Sequence, residues 1–288
     1  MKSRVSRVAG SVYQFARWAG LEPEYRLRIQ AYRPAVPQWP TALTLSVAAI
    51  ADIHFGGPYM GLERLQMIID ATNRTRPDLI VLLGDYGATH HDQSEHRAAM
   101  EILALAAGRL TARLGVYAVL GNHDWSADDD ARELGMGPVV AGQALTNAGI
   151  RVLENDAVQI QHHGQAFWVA GLGDQLAHSR TRLGVDDLPG TLNKITDDAP
   201  AILLAHEPDI FPAVPDRFAL TLAGHTHGGQ IRVFGRAPHV PSRYGSRYLH
   251  GHIIEDGRHL IVSAGVGVSD LPLRLGVAAE IVMVHLGN

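Results

Sequence analysis

The chain has 288 residues, 46% of them hydrophobic and 19% charged, with a formal net charge of −4. This length is sufficient for one well-buried domain, and the weak negative charge gives no general attraction to nucleic acid. Cysteine is absent, while histidine occurs 16 times. Disulfides, thiolate nucleophiles and sulfur-bound zinc are therefore excluded, and any metal ion must use imidazole and oxygen ligands. No apolar run approaches the roughly 20 residues of a membrane-spanning helix.

The first 20 residues have the pattern of a basic amphipathic helix. They contain basic side chains and no acidic one, and their apolar stripe follows a helical spacing. The stripe consists of Val5, Val8, Val12, Phe15 and Ala19. No signal peptide is evident, because no uninterrupted apolar core follows the positive charges. A helix of this kind can lie on an anionic membrane surface or pack its stripe on the protein, and the sequence leaves both open.

Residues 33–40 contain three prolines, which remove backbone donors and favour extended conformations in the preceding residues. We therefore predict an N-terminal arm and Pro-rich connector over residues 1–40 and a main domain over 41–288. The main domain begins with strand–helix–strand–helix–strand, the order typical of a parallel sheet. Shorter strands further along predict a second sheet packed on the first. The predicted strands are 43–51, 79–83, 116–120, 150–161, 166–171, 201–205, 218–223, 260–263 and 280–285, and the long helices lie near 60–75 and 94–112.

Metal-ligand side chains follow five of these strands. They occur in Asp52-Ile53-His54, at Asp85, in Gly121-Asn122-His123-Asp124, at His206 and in Gly224-His225-Thr226-His227. Any single Asp or Asn among them could simply cap a helix or a turn. Because ligands bind outside the carboxyl ends of parallel strands, we expect the whole set to meet in one metal site.

The set contains the residue types that two divalent cations need. Such a pair, about 3.5–4 Å apart, activates water and stabilises charge on the phosphoryl oxygens during phosphate-ester hydrolysis. The candidate ligands are Asp52, His54, Asp85, Asn122, His206, His225 and His227. Oxygen and imidazole ligands suit manganese, iron or zinc. His123 directly follows a candidate ligand, and we expect it to face the substrate.

In this order the motifs resemble those of the calcineurin-like metallophosphoesterases, and they span residues 52–227. Gly-His-Thr-His-Gly-Gly-Gln at 224–230 is similar to one bacterial branch of phosphodiesterases, as is the ending from Ser263-Ala264-Gly265-Val266-Gly267 to Glu280-Ile281. The resemblance implies an α/β fold, a four-layer αββα sandwich of two mixed sheets flanked by helices. It also implies a dinuclear-metal phosphoesterase in which a metal-bridging hydroxide attacks a phosphodiester.

Carried over by position, the resemblance assigns three ligands to each metal ion. Asp52, His54 and His227 would bind one ion, and Asn122, His206 and His225 the other. Asp85 would bridge the two ions. His123 would stabilise the transition state or protonate the leaving group, with its imidazole held by Asp124.

Other functions stay open at this stage. The chain could hydrolyse a pyrophosphate in a lipid-linked or nucleotide substrate, such as one of the UDP-diacylglucosamine type, or bind metal without turnover. The His123–Asp124 pair argues against a pure binder, and a structural metal site would close its coordination. Guanidinium groups suit phosphate, but four arginines in a glycine-rich stretch more often form a solvated face. At most one or two of those at 232, 236, 243 and 247 should therefore touch the substrate.

The expected partners are a phosphate-ester substrate and, through residues 1–20, an anionic membrane, with no nucleic acid. We expect a cytoplasmic location, with or without peripheral attachment to the inner face of the membrane.

Overall fold

The computed structural model describes residues 26–57, 59–88, 92–135, 137–178, 183–269, 271 and 273–287. The predicted amphipathic helix of residues 1–20 lies outside this part. The strands are β1 (Leu27–Tyr32), β2 (Leu45–Ile50), β3 (Leu79–Leu83), β4 (Val116–Val119), β5 (Arg151–Val152), β6 (Asp156–His162), β7 (Gln165–Gly171), β8 (Ala201–Leu204), β9 (Phe218–Ala223), β10 (Gly251–Glu255), β11 (Arg258–Val262) and β12 (Ala279–Leu286). The α-helices are α1 (Leu62–Arg74), α2 (Gln93–Ala107), α3 (Asn122–Ser126), α4 (Asp129–Leu134), α5 (Val140–Asn147) and α6 (Leu188–Asn193), and short 3₁₀ helices cover Pro208–Ala213, His227–Gly229 and Gly245–Tyr248.

Both sheets are mixed, as predicted. The first has the order β1-β12-β2-β3-β4-β5, with β2 to β5 parallel and β12 antiparallel to β2. The second has the order β10-β11-β9-β8-β7-β6, with a parallel centre and an antiparallel strand at each edge. Strands β3 and β9 are buried along their whole length, because apolar side chains cover both faces of each sheet.

Three apolar clusters fill the spaces between the layers. One lies between the two sheets and contains Val81 and Leu220. A second packs α1, α2 and α5 on the outer face of the first sheet. The third covers the outer face of the second sheet with the 3₁₀ segment around Phe211 and with part of α6. These layers confirm the predicted αββα sandwich.

The structure differs from the sequence prediction at the start of the described chain. We predicted no strand before Leu43, but β1 pairs in parallel with β12 at the edge of the first sheet. The Pro-rich connector is also not a free spacer, because Val36 and Trp39 are buried in the cluster between the sheets. The strand β1 and the side chains of Val36 and Trp39 therefore pack with the two sheets.

The prediction for the last strand was also wrong. The prediction put residues 280–285 in the second sheet, whereas β12 returns to the first sheet between β1 and β2. The first and last described strands, β1 and β12, thus lie side by side. None of the helices in the described part of the chain is both long and apolar enough to cross a membrane.

Candidate metal centre

The structure brings the predicted metal-ligand side chains together where strands of the two sheets end. Asp52 and His54 follow β2, Asp85 follows β3, and His206 follows β8. The remaining candidates lie after β4 and β9: Asn122, His225 and His227. The two sheets thus contribute side chains to one cluster.

The backbone at this site is unusual. Five of the seven candidate ligands have a positive φ between 50° and 69°: Asp52, His54, Asp85, His225 and His227. A non-glycine residue in this region costs about 1–3 kcal/mol and is most often found at functional sites. These five residues thus stand where the extended backbone of a strand has ended.

The first group of ligand-type side chains consists of Asp52, His54 and His227, all buried. The Nε2 atoms of the two histidines are 3.1 Å apart, and Nε2 of His227 lies 3.7 Å from Oδ1 of Asp52. Burial lowers the pKa of His54 to about 3 and also lowers the pKa of His227. Both imidazoles are therefore neutral at neutral pH, as metal ligands must be.

The second group consists of Asp85, His206 and His225, also buried. Nδ1 of His225 is 3.2 Å from Nε2 of His206, which in turn is 3.2 Å from Oδ2 of Asp85. The other ring nitrogens point outward to backbone oxygens, from His206 Nδ1 to Leu83 at 2.6 Å and from His225 Nε2 to Pro241 at 2.9 Å. Hydrogen bonds of this kind fix the ring orientation of metal-binding histidines.

Asp85 lies between the two groups. Its Oδ2 atom is 3.6 Å from Nε2 of His54 and 3.2 Å from Nε2 of His206. Its Oδ1 atom accepts a hydrogen bond from the backbone N–H of His123 at 2.8 Å. One carboxylate oxygen therefore faces ligands of both groups while the other is held by the backbone.

The charges of the site fit a cation. Burial raises the pKa of Asp52 to about 7, and a divalent ion beside the carboxylate would favour its ionised form instead. Burial also opposes ionisation of Asp85, yet the charges of His206 and His123 hold its pKa well below its ordinary value. His206 shows the converse: Asp85 raises its pKa well above the ordinary value despite burial, so a cation that binds there displaces a proton.

Asn122 supplies a further observation. Its Oδ1 atom is buried, has no hydrogen-bond partner among the described residues, and belongs to a side chain that lines the cavity described below. A buried amide oxygen without a partner costs about 1–3 kcal/mol, and a metal ion would supply that partner. The residues present therefore fit a metal site.

The pairing expected between Asp124 and His123 is not present. Asp124 Oδ2 accepts from the backbone N–H of Asp85 at 2.9 Å and of Gly121 at 2.8 Å, and Oδ1 accepts from Tyr86 at 2.8 Å. Nδ1 of His123 is buried without a hydrogen-bond partner in the described structure. Both residues lie on α3, where adjacent side chains diverge by about 100°, so Asp124 faces the strand ends while His123 faces the cavity.

The cavity in front of the site has a volume of about 960 Å³. Asp85, Asn122, His123, His225 and His227 form part of its wall. The rest of the wall comes from the loops that surround the site: Gln175, Leu176, Glu207, Asp209, Gln230, Ile231, Arg243 and Leu271 are among these residues. Four of the candidate ligands thus line a space large enough for a substrate.

Arg274, which the sequence did not mark as a site residue, is fully buried behind the first group. Its guanidinium donates to the backbone oxygen of Gly267 at 2.8 Å and lies 3.4 Å from Nδ1 of His227. The nearby Gly265 has φ +71°, and a Cβ there would approach Oδ2 of Asp52 to 2.7 Å. No short motif marks Arg274, because it reaches the site from a loop 47 residues after His227.

Comparison with known proteins agrees with the geometry. The family model for calcineurin-like phosphoesterases matches residues 45–229, and the chain belongs to this family. It is 32% identical to the uncharacterized metallophosphoesterase YkuE of Bacillus subtilis, over 83% of this chain and 78% of that protein. It is 31% identical to the phosphodiesterase YaeI of Escherichia coli, over 85% of this chain and 83% of that protein.

Some relatives are longer. A transmembrane protein with a metallophosphoesterase domain from Bos taurus is 30% identical over 86% of this chain, which spans only 54% of that protein. Among solved structures, a dimetal phosphatase from Danio rerio shares 13% identity and a TM-score of 0.49, over 86% of this chain and 94% of that one.

Proposed function

We propose that the protein is a dinuclear-metal phosphoesterase that cleaves phosphodiesters. The observation that carries this proposal is the position of Asp85, whose Oδ2 atom faces both His54 and His206. Asp52, His54 and His227 would hold one ion, and Asn122, His206 and His225 the other, with Asp85 shared. Two divalent cations supply water activation and stabilise charge on the phosphoryl oxygens.

The protein's own groups complete the site. His123 lines the cavity beside both groups, with its ring 5.0 Å from that of His54, and we assign it to the substrate rather than to a metal. Its imidazole would stabilise the transition state or donate a proton to the leaving oxygen. Asp124 holds the backbone on which Asp85 and His123 are placed.

The size of the cavity supports a substrate with a substituent on each side of the phosphoryl group. Its volume of about 960 Å³ is at the upper end of the roughly 300–1,000 Å³ typical of ligand pockets. A diester or a pyrophosphate uses this space, whereas inorganic phosphate or a small monoester leaves most of it to water. The relative YaeI is described as a phosphodiesterase, which supports the diester over the pyrophosphate.

The metal pair that we propose is manganese, iron or zinc in any combination, because the ligands are oxygen and imidazole alone. Residues 1–20 are proposed to contact an anionic membrane surface, because they combine basic side chains with an apolar stripe at helical spacing.

The test is a screen of the purified protein after reconstitution with each metal. Matched monoester, diester and pyrophosphate substrates are compared, and we expect the diester to turn over fastest. Asp85→Ala should lose both ions in elemental analysis, because it alone is shared, whereas Asp130→Ala, on the exposed side of α4, should keep them. Two tightly bound ions in Asp85→Ala would contradict the dinuclear assignment, and a monoester preference with every metal would contradict the substrate class.

A further inference from the structure

A short hairpin projects from the protein next to the cavity. It follows the 3₁₀ segment of His227, and its tip is Val233-Phe234-Gly235-Arg236. Val233 and Arg236 exchange both backbone hydrogen bonds, at 2.9 and 3.1 Å. Phe234 has φ +49° and Gly235 has φ +77°, so the tip is a two-residue turn of type I′.

Phenylalanine is a poor choice for this turn on folding grounds. The first central position of a type I′ turn favours Asn, Asp or Gly, and a bulky side chain with a positive φ is strained. Phe234 gains no burial in return, because its relative exposure is 102%. A Cβ added at Gly235 would meet nothing within 4 Å. The tip therefore stands in open solvent, and the stability of the fold does not explain its side chain.

Other exposed apolar and cationic groups lie in the hairpin and in the segment that pairs with its base. Val233 is 46% exposed and Leu271 is 52% exposed. The two segments are linked, because Gln230 donates through Nε2 to the backbone oxygen of Leu271 at 2.7 Å and the backbone N–H of Arg232 donates to Leu275. The guanidinium of Arg236 is exposed and forms no ion pair with the described residues. We call Val233, Phe234, Arg236 and Leu271 the docking tip.

The charge around the docking tip is opposite to that of the whole chain. Residues 228–254 contain four arginines and no acidic residue, while the chain as a whole has a net charge of −4. Arg243 and Arg247 pair with Asp209 and Glu255. Arg232 is half-buried and its Nε donates to the backbone oxygen of Gly228 at 2.7 Å. Of the four arginines, Arg236 is therefore the one that is exposed and without an acidic partner among the described residues. An exposed aromatic and aliphatic group beside a free cation fits the boundary between headgroups and acyl chains of an anionic bilayer.

We propose that the docking tip inserts into the surface of an anionic phospholipid bilayer. Ile231 and Leu271 line the same cavity as Asp85 and His123. Docking therefore brings this cavity to the lipid surface. Building on the proposed function, the substrate class is then a phosphodiester carried by a lipid headgroup.

The binding test uses the full chain and vesicles of phosphatidylcholine with or without phosphatidylglycerol. Phe234→Asn removes the aromatic ring but suits the type I′ turn, so the fold should be retained, which a thermal unfolding curve checks. We expect wild type to sediment with the anionic vesicles and Phe234→Asn to bind roughly tenfold more weakly. Arg236→Gln should weaken binding about fivefold in low salt and less in high salt.

The matched control is Leu105→Gln, which removes an exposed apolar side chain from α2, where Leu105 is 78% exposed. It should bind like wild type. Equal sedimentation of Phe234→Asn and wild type would overturn the proposal. So would a change in oligomeric state of Phe234→Asn in the absence of vesicles, because the tip would then be a contact between protein chains. Residues 1–20 are present in every variant, so their contribution cancels.

Turnover separates this proposal from the proposed function. Phe234→Asn should cleave a soluble diester at the wild-type rate but cleave a phosphodiester in a vesicle-borne lipid roughly tenfold more slowly. Failure of wild type to cleave any diester would contradict the proposed function and leave the vesicle-binding result unaffected. Equal rates of the two proteins on the vesicle-borne lipid would contradict the delivery of substrate by docking.

Discussion

His123 is proposed to act on the substrate and not to bind a metal ion. Its side chain lines the cavity, and its backbone N–H donates a hydrogen bond to the candidate metal ligand Asp85. His123→Ala should therefore keep its metal content and lose about 10²–10⁴-fold in turnover of a diester with a poor leaving group. Elemental analysis and kcat measure the two effects. A smaller loss with nitrophenyl substrates would indicate leaving-group protonation, and wild-type turnover on the poor leaving group would exclude the role.

Asp124 gives a contrasting prediction, because its carboxylate accepts hydrogen bonds from the backbone of two strand ends. An amide has only one acceptor oxygen, so Asp124→Asn leaves at least one of the donors of Asp85, Tyr86 and Gly121 facing an amide N–H₂. We expect the free energy of unfolding to fall by about 1–3 kcal/mol for each donor left unpaired, measured by urea denaturation without added metal. The dependence of turnover on the leaving group should stay that of wild type. A change in that dependence with unaltered stability would restore the orienting role that the sequence suggested.

These two residues show what the sequence could and could not predict about the site. The identity and order of the candidate ligands followed from residue types at strand ends, because parallel strands deliver their ends to one edge. The directions of the side chains that come directly after a ligand could not be predicted in this way, because the local turn of the backbone sets them. His123 and Asp124 are adjacent, but at the start of α3 their side chains point in different directions. Arg274 was missed for a related reason, because its contact with His227 joins distant parts of the chain.

At the scale of elements, the predictable parts were those with a strong local pattern. The buried runs of β3 and β9 and the amphipathic face of α1 were placed within a few residues. The strand β1 was missed, because it is a half-exposed edge strand with no long apolar run. The sheet to which β12 belongs was also predicted wrongly, since pairing between the ends of the chain leaves no local signal.

The glycine that precedes α3 lies close to two of the candidate metal ligands. Gly121, which precedes α3, is in contact with the loop after β3: a Cβ there would clash with Oδ1 of Asp85 and approach Cε1 of His206 to 2.8 Å. Gly121→Ala should therefore displace Asp85 and lower metal content and diester turnover together, both by about tenfold or more for a shift of the order of 1 Å. Gly61→Ala is the matched control, because its Cβ would meet nothing within 4 Å at the start of α1. Full metal content and activity in Gly121→Ala would show that the loop adapts.

At the scale of the whole molecule, β1 and the Pro-rich stretch determine where the chain can be shortened. Removing residues 1–37 deletes β1 from the edge of the first sheet and takes Val36 out of the core between the sheets. Burying a side chain of this size contributes about 1.5–3 kcal/mol, so such a truncation would be destabilised for reasons unrelated to membranes. A truncation that begins at Arg26 keeps every described strand and is the appropriate comparison for residues 1–20.

Residues 1–20 should add to binding at an anionic membrane surface. They carry Lys2, Arg4, Arg7 and Arg17, no acidic residue and an apolar stripe, and each basic group near an anionic surface contributes about 1 kcal/mol. The full chain should therefore bind vesicles that contain phosphatidylglycerol more tightly than a chain beginning at Arg26, and the difference should shrink as salt screens the charges. Co-sedimentation measures both, with Phe234→Asn introduced into each chain. Because the arm and the docking tip are separate contacts on one molecule, loss of both should weaken binding more than loss of either. Equal binding of the full and shortened chains, or a difference that salt does not alter, would leave residues 1–20 as a helix that packs on the protein.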